Sequence, residues 1–552
     1  MKARFFQRFS RVEILFFGFL ALLLFGFNSY ISLWDQDEAA YAGFAKRMLE
    51  TGRWIIPDFT WSEIHRKPPL HFWLMALSYK IFGINTFAVR FFSALAVWGS
   101  VALMWFKGAR IFGPKTAHTA ALLMAGNVFL MMLGKMAVTD GLMLFAYTWA
   151  GLSLLAYLKT GSKCQMLAVY IALALGGLVK GPPVFLWAGF WYLLLLVFYP
   201  GRRRLISLHP WLYGWFSLAP FAAWLWLAWQ QNPDFVRWWL DWYVLRRTHS
   251  AVLNQTGPPG TYLLLFVLFF LPVLPLVWAG AVEGFHNFKK SGGLFRATVL
   301  WFVAGWLPYA LLPSKLPAYV LAAYPALALL GGYAVDAWQQ GRRKKLFQSA
   351  YIIQILLWFL LLAGLVAGFA GFRHFFHGRT QTIAVFLGIV VVIMLLWNWR
   401  GLIFYRAGRF RLALNLLLLQ GLTWSFAVLL IILPLAEPLK NATRLTALTL
   451  SRLTQPQTPV IVAATTGHPP SLPFYLELYH PKGQKIYPSK PSEFVRKHLS
   501  SSSAVWILTP AQWERWQGRR NEIIPKFRVE RISGLGTGSL GNYAYVILIP
   551  RE

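Results

Sequence analysis

The sequence is poor in cysteine and in acidic residues. Its 552 residues include a single cysteine, Cys164, and only 19 aspartates and glutamates. One cysteine excludes a disulfide framework and a cysteine-rich metal cluster within the chain. Charged residues make up 13% of the chain, about half of the share that is usual in soluble domains. Because 57% of the residues are hydrophobic, a soluble globular protein and a disordered one are both excluded.

Long apolar runs fill most of the chain. A membrane-spanning helix needs about 20 mostly apolar residues, because lipid offers the backbone no hydrogen-bond partners. The fold class is therefore mostly α, a polytopic membrane protein of about 13 spans. The first span ends at Trp34-Asp35 without a small-residue cleavage site, so we expect it to be retained as an anchor. The predicted spans are 12–34, 86–106, 116–133, 138–157, 166–181, 183–199, 210–230, 261–280, 296–313, 318–337, 349–371, 381–399 and 411–434.

The 53 lysines and arginines give the chain a formal charge of +34. Such an excess of positive charge is typical of proteins that bind nucleic acid or anionic lipid, and of membrane proteins with basic loops on one side of the membrane. Here alternate loops are compact basic clusters, which the positive-inside rule places in the cytoplasm together with the N-terminus. We therefore expect membrane lipids and no nucleic acid as partners. The clusters are Lys2/Arg4/Arg8/Arg11, Lys107/Arg110/Lys115, Lys159/Lys163, Arg202–Arg204, Lys289/Lys290/Arg296, Arg342–Lys345 and Arg400/Arg406/Arg409/Arg411.

The segment Pro69–Gly83 is apolar but short, and it is predicted to lie in the membrane interface. Counting it as a span would place every later basic cluster outside. The odd number of spans then puts the C-terminus outside. We therefore divide the chain into a transmembrane domain, 1–440, with a first outer loop at about 35–85, and a small outer α/β domain, 441–552. Strand-like runs at 460–464, 504–508 and 543–549 alternate there with helix-like stretches at 472–479, 492–499 and 511–521.

The first outer loop begins with an acidic cluster, Asp35, Asp37 and Glu38, in a chain that has few acids. One interpretation is a catalytic carboxylate that binds or deprotonates an acceptor group. Another is a helix N-terminus, where acids are favourable, since the residues that follow look helical. The two interpretations are compatible, and we take Asp37 and Glu38 as candidate catalytic residues.

Basic side chains recur at the same depth. Lys67 precedes two prolines, which hold it on a stiff, extended backbone suited to a phosphate group; the alternative is a lysine that snorkels to the lipid headgroups. Asp140 opens the fourth span, where a carboxylate is costly unless it is paired or hydrated. It is a candidate catalytic residue or a helix cap. The remaining candidates for phosphate binding are Lys180, Arg246, Arg247 and Lys315.

Carboxylates and cations from five outer segments thus share one face of the predicted membrane protein. A lipid phosphate that leaves in a transfer reaction develops negative charge, which fixed cations stabilise. A carboxylate on the opposite side can orient or deprotonate an incoming hydroxyl.

These segments resemble the GT-C membrane glycosyltransferases. More narrowly, they are similar to the protein O-mannosyltransferase branch that includes the bacterial 4-amino-4-deoxy-L-arabinose transferase acting on lipid A. The resemblance covers about 30–440 in matching order and the C-terminal domain in position only. The motifs that carry it are Asp37-Glu-Ala-Ala-Tyr-Ala42, Lys67-Pro-Pro-Leu70 with Trp73, Thr139-Asp140, Lys180-Gly-Pro182, and Ser314-Lys-Leu-Pro-Ala-Tyr319 with Pro325-Ala-Leu-Ala328.

The resemblance implies the inverting transfer of one sugar from a polyprenyl-phosphate donor to a lipid A, lipopolysaccharide or other envelope acceptor. The reaction would take place on the periplasmic side of a bacterial inner membrane, without a cofactor. It implies that Asp37 is the essential aspartate of the first loop and Asp140 the second carboxylate. Cations near the donor phosphate are implied at Lys67 and Lys315, with Tyr319 as a nearby hydroxyl and Lys180 as the lysine of the second half.

The chain departs from the lipid A enzyme at three positions. It has Ala40 where that enzyme has an arginine, Arg66 where it has an acid, and Trp242 roughly where it has a histidine. The resemblance therefore supports no metal site and leaves the sugar and the acceptor open. The alternatives are a transferase with a protein or polysaccharide acceptor, and a transporter or flippase of a polyprenyl-linked lipid. A transporter needs ionisable groups or broken helices at the bilayer midplane.

Overall fold

The structure is a computed structural model. It describes residues 10–34, 37–59, 67–246, 256–258, 260–289, 292–371, 379–455, 458–462, 471–479, 486–488, 504–515, 518, 520–532 and 545–551.

Helices dominate the described residues. A π-helical segment joins α4 to α5, and another joins α20 to α21. The helices are α1 (Arg11–Phe25), α2 (Asp37–Thr51), α3 (Leu70–Phe82), α4 (Thr86–Ala102), α5 (Gly108–Phe112), α6 (Pro114–Ala125), α7 (Val128–Met132), α8 (Thr139–Thr160), α9 (Lys163–Lys180), α10 (Pro182–Phe198), α11 (Arg202–Ile206), α12 (Pro210–Gln231), α13 (Pro233–Leu240), α14 (Thr261–Phe269), α15 (Leu274–His286), α16 (Gly293–Leu311), α17 (Ala323–Gln339), α18 (Lys344–Gly371), α19 (Arg379–Arg406), α20 (Phe410–Phe426), α21 (Leu433–Lys440), α22 (Ala442–Leu453), α23 (Ser471–Tyr479), α24 (Pro510–Arg515) and α25 (Arg520–Ile523).

Seven of the described helices are long and apolar enough to cross a membrane. The pair α14 and α15 forms an eighth candidate, bent by 68° where prolines 272 and 275 remove backbone donors. The five other predicted spans coincide with helices that are shorter or less apolar: α1, α6 with α7, α10, α12 and α17. The mostly α membrane fold is thereby confirmed, whereas the count of thirteen stays a prediction. The seven are Thr86–Phe112, Thr139–Thr160, Lys163–Lys180, Gly293–Leu311, Lys344–Gly368, Gln381–Arg406 and Phe410–Glu437.

The first helix ends earlier than its apolar run. The sequence predicts a span to residue 34, but α1 ends at Phe25 and the chain continues without regular helix. The side chain of Asn28 donates to the carbonyl of Leu24 at 2.9 Å, which ends the helical pattern locally. Of the apolar residues that follow, Ile31 and Leu33 are buried, whereas Phe27 and Tyr30 are 50% and 47% exposed. Composition alone does not distinguish this segment from a longer helix.

The helix predicted for the membrane interface is observed as α3. It has 13 residues, too few to span a bilayer, and it ends at Gly83, whose φ of +75° favours glycine. It packs against α2 and α4. Through buried Phe72 and Met75 it contributes to a hydrophobic core on the outer side, which also contains Tyr41 and Phe44 of α2.

The C-terminal part forms a five-stranded mixed sheet in the order β2-β1-β3-β5-β4. Strands β2, β1 and β3 are parallel, and β5 is antiparallel to β3 and β4. Three predicted strands are found. Two were missed, because β2 ends in a proline and β4 carries three charged side chains in six residues. The helix-like stretch 492–499 lies outside the described residues. The strands are β1 (Val460–Val462), β2 (Ile486–Pro488), β3 (Val505–Leu508), β4 (Phe527–Ile532) and β5 (Tyr545–Pro550).

The C-terminal domain is fastened to the first outer loop. The amide of Leu33 donates to the hydroxyl of Tyr475 at 2.8 Å. An ammonium of α2, on Lys46, pairs with Glu477 of α23. Leu33, the apolar face of α2, β1, β3 and α23 share one buried core. The backbone that leads into the acidic cluster is therefore positioned by both parts of the chain.

Candidate active site

The two acids at the start of α2 point in opposite directions. Asp37 is exposed, whereas Glu38 is fully buried. Each carboxylate oxygen of Glu38 accepts one hydrogen bond from Arg90 of α4, at 2.7 and 2.8 Å, and one from a backbone amide. The amides are those of Trp34 and Ala137, both at 2.7 Å. Glu38 therefore joins three segments of the outer face, a placement that favours a structural role over a catalytic one.

Asp37, Tyr41 and Lys67 form the first cluster of the candidate site. The Tyr41 hydroxyl lies one helical turn after Asp37 and donates to its carboxylate at 3.4 Å. The Lys67 ammonium donates to the same hydroxyl and lies 4.8 Å from the centre of the tyrosine ring. Lys67 is thus held beside the exposed carboxylate by one buried tyrosine. The sequence predicted Asp37 and Lys67 as partners in one site, but not the tyrosine between them.

Two buried side chains in this cluster titrate abnormally. Burial raises the pKa of Tyr41 well above its ordinary value, and the negative charge of Asp37 adds to this effect. Burial also lowers the pKa of His71, in α3, to about 4. The His71 ring is therefore neutral at pH 7, and its Nε2 lies 3.0 Å from the carbonyl oxygen of Ala137. The charges at the surface of this cluster are those of Asp37 and Lys67.

Asp140 and Lys180 form the second cluster, an ion pair at the outer ends of α8 and α9. Both side chains are mostly buried, with 16% and 18% of their surface exposed. Lys180 stays at the helix end because Gly181, with φ +80°, stops α9 and Pro182 starts α10. Asp140 also acts electrostatically on Tyr41 and His71, so this ion pair lies close to the first cluster.

Lys315 and Tyr319 lie in the third cluster, between α16 and α17. The Lys315 ammonium donates to the carbonyls of Ala310, at 2.8 Å, and Leu312, and more weakly to that of Tyr309, at 3.4 Å. These carbonyls belong to the last turn of α16, so Lys315 acts as a C-terminal cap. To bind a phosphate, the ammonium would have to give up its longest hydrogen bond, the one to the carbonyl of Tyr309. The Tyr319 ring lies 6.2 Å from that of Tyr309.

The second and third clusters are joined by Tyr309. Its hydroxyl donates to the carbonyl of Pro183, three residues after Lys180, at 3.1 Å. It also forms a hydrogen bond with Tyr147, which lies two turns along α8 from Asp140. The three clusters therefore sit at the same end of the helices. Lys67 and Lys315 are on one side of the protein, as the proposed chemistry requires.

The long loop between α12 and α14 contacts the clusters at both of its described ends. At its start, Tyr243 acts electrostatically on Tyr41. Arg246 belongs to the same π-helical segment and pairs with Asp241 at 2.6 Å, with 58% of its side chain exposed. At its far end, Thr256 forms a β-bridge with Ser314, next to Lys315. The remaining predicted cation of this loop, Arg247, lies outside the described residues.

Solved structures with a similar overall fold exist. The chain matches ArnT from Cupriavidus metallidurans in complex with undecaprenyl phosphate with a TM-score of 0.74, over 98% of both chains at 19% identity. The apo form of that protein gives a TM-score of 0.70 over 97% of both chains at 17% identity. These matches show the fold.

The family model of dolichyl-phosphate-mannose-protein mannosyltransferases matches residues 66–227. An undecaprenyl phosphate-α-4-amino-4-deoxy-L-arabinose arabinosyl transferase of Pseudomonas fluorescens is 29% identical over 69% of this chain and 70% of its own length. The enzyme of the same name in Pseudomonas aeruginosa is 31% identical over 55% of this chain and 56% of its own. The chain is thus similar to the GT-C membrane glycosyltransferases in sequence and in fold. The resemblance seen in the sequence is thereby confirmed.

The candidate site contains residues that the sequence did not single out. Arg90 carries a signal of its own, since a charge inside a predicted span is expected to have a partner. Tyr41 lies within a motif that was recognised, but its hydroxyl could not be linked to Lys67 without the fold. His71 gave no separate signal. Within the described residues, no group of three or more His, Cys, Asp and Glu side chains is placed to hold a metal ion.

Proposed function

We propose that this multi-pass membrane glycosyltransferase moves one sugar from a polyprenyl-phosphate donor to lipid A or another envelope acceptor. The reaction would occur at the periplasmic side of a bacterial inner membrane. The N-terminus would be cytoplasmic, and the C-terminal domain would lie in the periplasm. The observation that carries the proposal is the exposed carboxylate of Asp37, fixed beside the ammonium of Lys67 by Tyr41. The donor after which the similar Pseudomonas transferases are named supports the substrate class.

In the proposed reaction, an oxygen of the acceptor attacks the anomeric carbon of the donor sugar. The bond between that carbon and the phosphate oxygen breaks, and its electron pair leaves with the phosphate. The proton of the attacking hydroxyl passes to the Asp37 carboxylate. Attack from the face opposite the phosphate inverts the configuration at the anomeric carbon.

The leaving polyprenyl phosphate gains negative charge, which the ammonium of Lys67 would stabilise. Lys315 and Tyr319 would contact the same phosphate from the third cluster, with Arg246 and Arg247 from the long loop. Asp140 and Lys180 are proposed to position the site, because their charges neutralise each other at its edge. We assign Glu38 to the support of the loop, in place of the catalytic role suggested by its sequence position.

The proposal is tested first by Asp37→Asn. This change removes the basic carboxylate and keeps the shape, so transfer from undecaprenyl-phosphate-linked sugar should fall by a factor of at least about 100. Asp58→Asn is the matched control, since Asp58 is a half-exposed acid of the same outer loop that faces Arg53 at 4.0 Å. Equal loss in both variants, or full turnover of Asp37→Asn, would contradict the assignment.

A second experiment separates donor binding from acceptor binding. Lys67→Met should raise the KM for the polyprenyl-phosphate donor several-fold and leave the KM for the acceptor nearly unchanged. Lys80→Met is the control, because Lys80 lies at the far end of α3 and contacts only the Trp54 ring, at 5.9 Å, among the interactions described for it. Unchanged donor kinetics in Lys67→Met would remove Lys67 from the phosphate site.

A further inference from the structure

A cavity lies at the end of the membrane domain opposite to the candidate active site. It has a volume of about 700 Å³ and opens between the helical stretch Thr86–Phe112 and helices α8 and α9. Asp140 is in the first turn of α8, and Lys159, which lines the cavity, is in its last turn. They are about 19 positions apart, which corresponds to on the order of 28 Å along an α-helix, close to the thickness of the hydrocarbon core. The cavity is therefore at the other headgroup level of the membrane.

The end of the cavity at this headgroup level is basic. Lys107, Arg110 and Lys159 line it, and none of the described lining residues is acidic. The side chains are fixed by the fold: Lys107 donates to the Ser153 hydroxyl, and Lys159 to the backbone carbonyls of residues 110 and 111 at 3.1 and 2.7 Å. The fixed ammonium groups create a positive potential before any ligand arrives, so little ordering is needed on binding.

The start of α9 adds to this potential. Ser162, its N-cap residue, lines the cavity and makes no capping hydrogen bond with its side chain. The first backbone amides of an 18-residue helix are thus directed toward the same basic end, where a helix dipole favours an anion. The helix end is therefore a second feature, besides the side chains, that selects for negative charge.

The rest of the cavity is apolar and extends toward the middle of the membrane. Its wall follows one helical stretch from Lys107 back to Gly99, through Ala102, Leu103 and Phe106. Phe145 of α8 closes the opposite side. A Cβ at position 99 would lie 2.9 Å from the Phe145 ring, so glycine permits this close approach of the two helices. A basic end followed by an apolar groove has the polarity of a lipid with an anionic headgroup.

We propose that this cavity binds one anionic phospholipid of the cytoplasmic leaflet. Its phosphate would contact Lys107, Arg110 and Lys159, and one acyl chain would lie along Gly99, Leu103 and Phe106. Basic pockets between transmembrane helices on the cytoplasmic side are suited to such headgroups, and charge-assisted hydrogen bonds from lysine and arginine to phosphate are strong. The site is separate from the proposed transferase site and does not depend on its chemistry.

The test uses the purified full-length protein in detergent, with native mass spectrometry as the readout. Dioleoyl phosphatidylglycerol should bind with a stoichiometry of one to the wild type. Lys107→Met combined with Arg110→Gln should weaken its apparent affinity by about tenfold or more, because two phosphate contacts are lost. Arg202→Gln combined with Arg203→Gln is the control, since it removes two exposed charges from the same face but outside the cavity.

Two further measurements test whether the site binds the headgroup of an anionic lipid or free inorganic phosphate. Dioleoyl phosphatidylcholine should bind at least about tenfold more weakly than phosphatidylglycerol, because its headgroup carries no net charge. Millimolar inorganic phosphate should not displace the bound lipid, because it cannot occupy the apolar groove. Equal binding to both double variants, equal binding of the two lipids, or displacement by inorganic phosphate would overturn the proposal. If the Lys107 variant does not fold, Arg110→Gln alone gives the same comparison against Arg203→Gln.

Discussion

The buried ion pair between Glu38 and Arg90 gives the sharpest prediction about the outer face. Both side chains are fully buried, and their charges lie at 2.7 and 2.8 Å from each other. Glu38→Gln keeps the shape of the side chain and removes its charge. The guanidinium of Arg90 is then buried without a compensating anion beside it, although it keeps its contacts with the carbonyls of Asn28, Ile31 and Ser32.

The magnitude follows from this burial. Removing one partner of a buried ion pair costs about 3–5 kcal/mol, because the remaining charge has lost its solvent and its counter-ion. Asp336→Asn is the matched control, since Asp336 pairs with Lys115 and the two side chains are 59% and 45% exposed. An exposed pair contributes about 0–1 kcal/mol. The two variants should therefore differ by several kcal/mol although each loses one carboxylate.

The measurement is the free energy of unfolding from denaturant titration in detergent micelles, followed by tryptophan fluorescence. Glu38→Gln should be much less stable than Asp336→Asn. The double variant Glu38→Gln with Arg90→Met should be less destabilised than the sum of the two single changes, because both buried charges are gone. If Glu38→Gln and Asp336→Asn unfolded within about 1 kcal/mol of each other, the structural role of Glu38 would be refuted.

Three other predictions follow from the titrating and pairing groups. Burial lowers the pKa of His71 from 6.5 to about 4. Between pH 6.5 and about pH 4, His71 is therefore protonated in the unfolded state and neutral in the folded state. Stability should therefore drop as the pH falls through this window, by about 3 kcal/mol in total, and His71→Gln should flatten this part of the stability–pH curve; a parallel curve would contradict the assignment. Lys180→Met leaves the mostly buried Asp140 carboxylate without its ammonium, so both thermal stability and transfer should decrease, and adding Asp140→Asn should restore the stability. Lys46→Met removes the contact with Glu477, and limited proteolysis should then release the C-terminal domain faster than in the wild type; an unchanged cleavage rate would show that this contact does not hold the domain.

The sequence was sufficient for the membrane fold. Hydrophobic runs predict helices well because lipid leaves the backbone few alternatives, and α3 was predicted to be too short for a span from its length and from the charge pattern. Asp37, Lys67, Asp140, Lys180 and Lys315 were also expected to share a face, because topology alone decides which loops are on one side.

The sequence could not predict which side chains of that face contact each other. Glu38 and Arg90 are 52 residues apart, and either acid of the cluster could have turned outward. The helical period places Asp37 and Glu38 about 100° apart, but which of them is buried depends on where α4 passes. In the same way, the capping of α16 by Lys315 depends on a turn that composition does not specify. Such contacts are set by tertiary packing and not by local preference.

The fastening of the last domain to the first loop has a consequence for the history of the chain. Tyr30 accepts a hydrogen bond from Arg444 at 2.6 Å, and Leu33 donates one to Tyr475 at 2.8 Å. Positions more than four hundred residues apart thus constrain one another. A relative that acquired a different C-terminal domain by recombination would lose the matching partners of these two contacts. The N-terminal and C-terminal parts of the gene are therefore expected to be inherited together, and a substitution on one side of these contacts should be accompanied by a compensating substitution on the other.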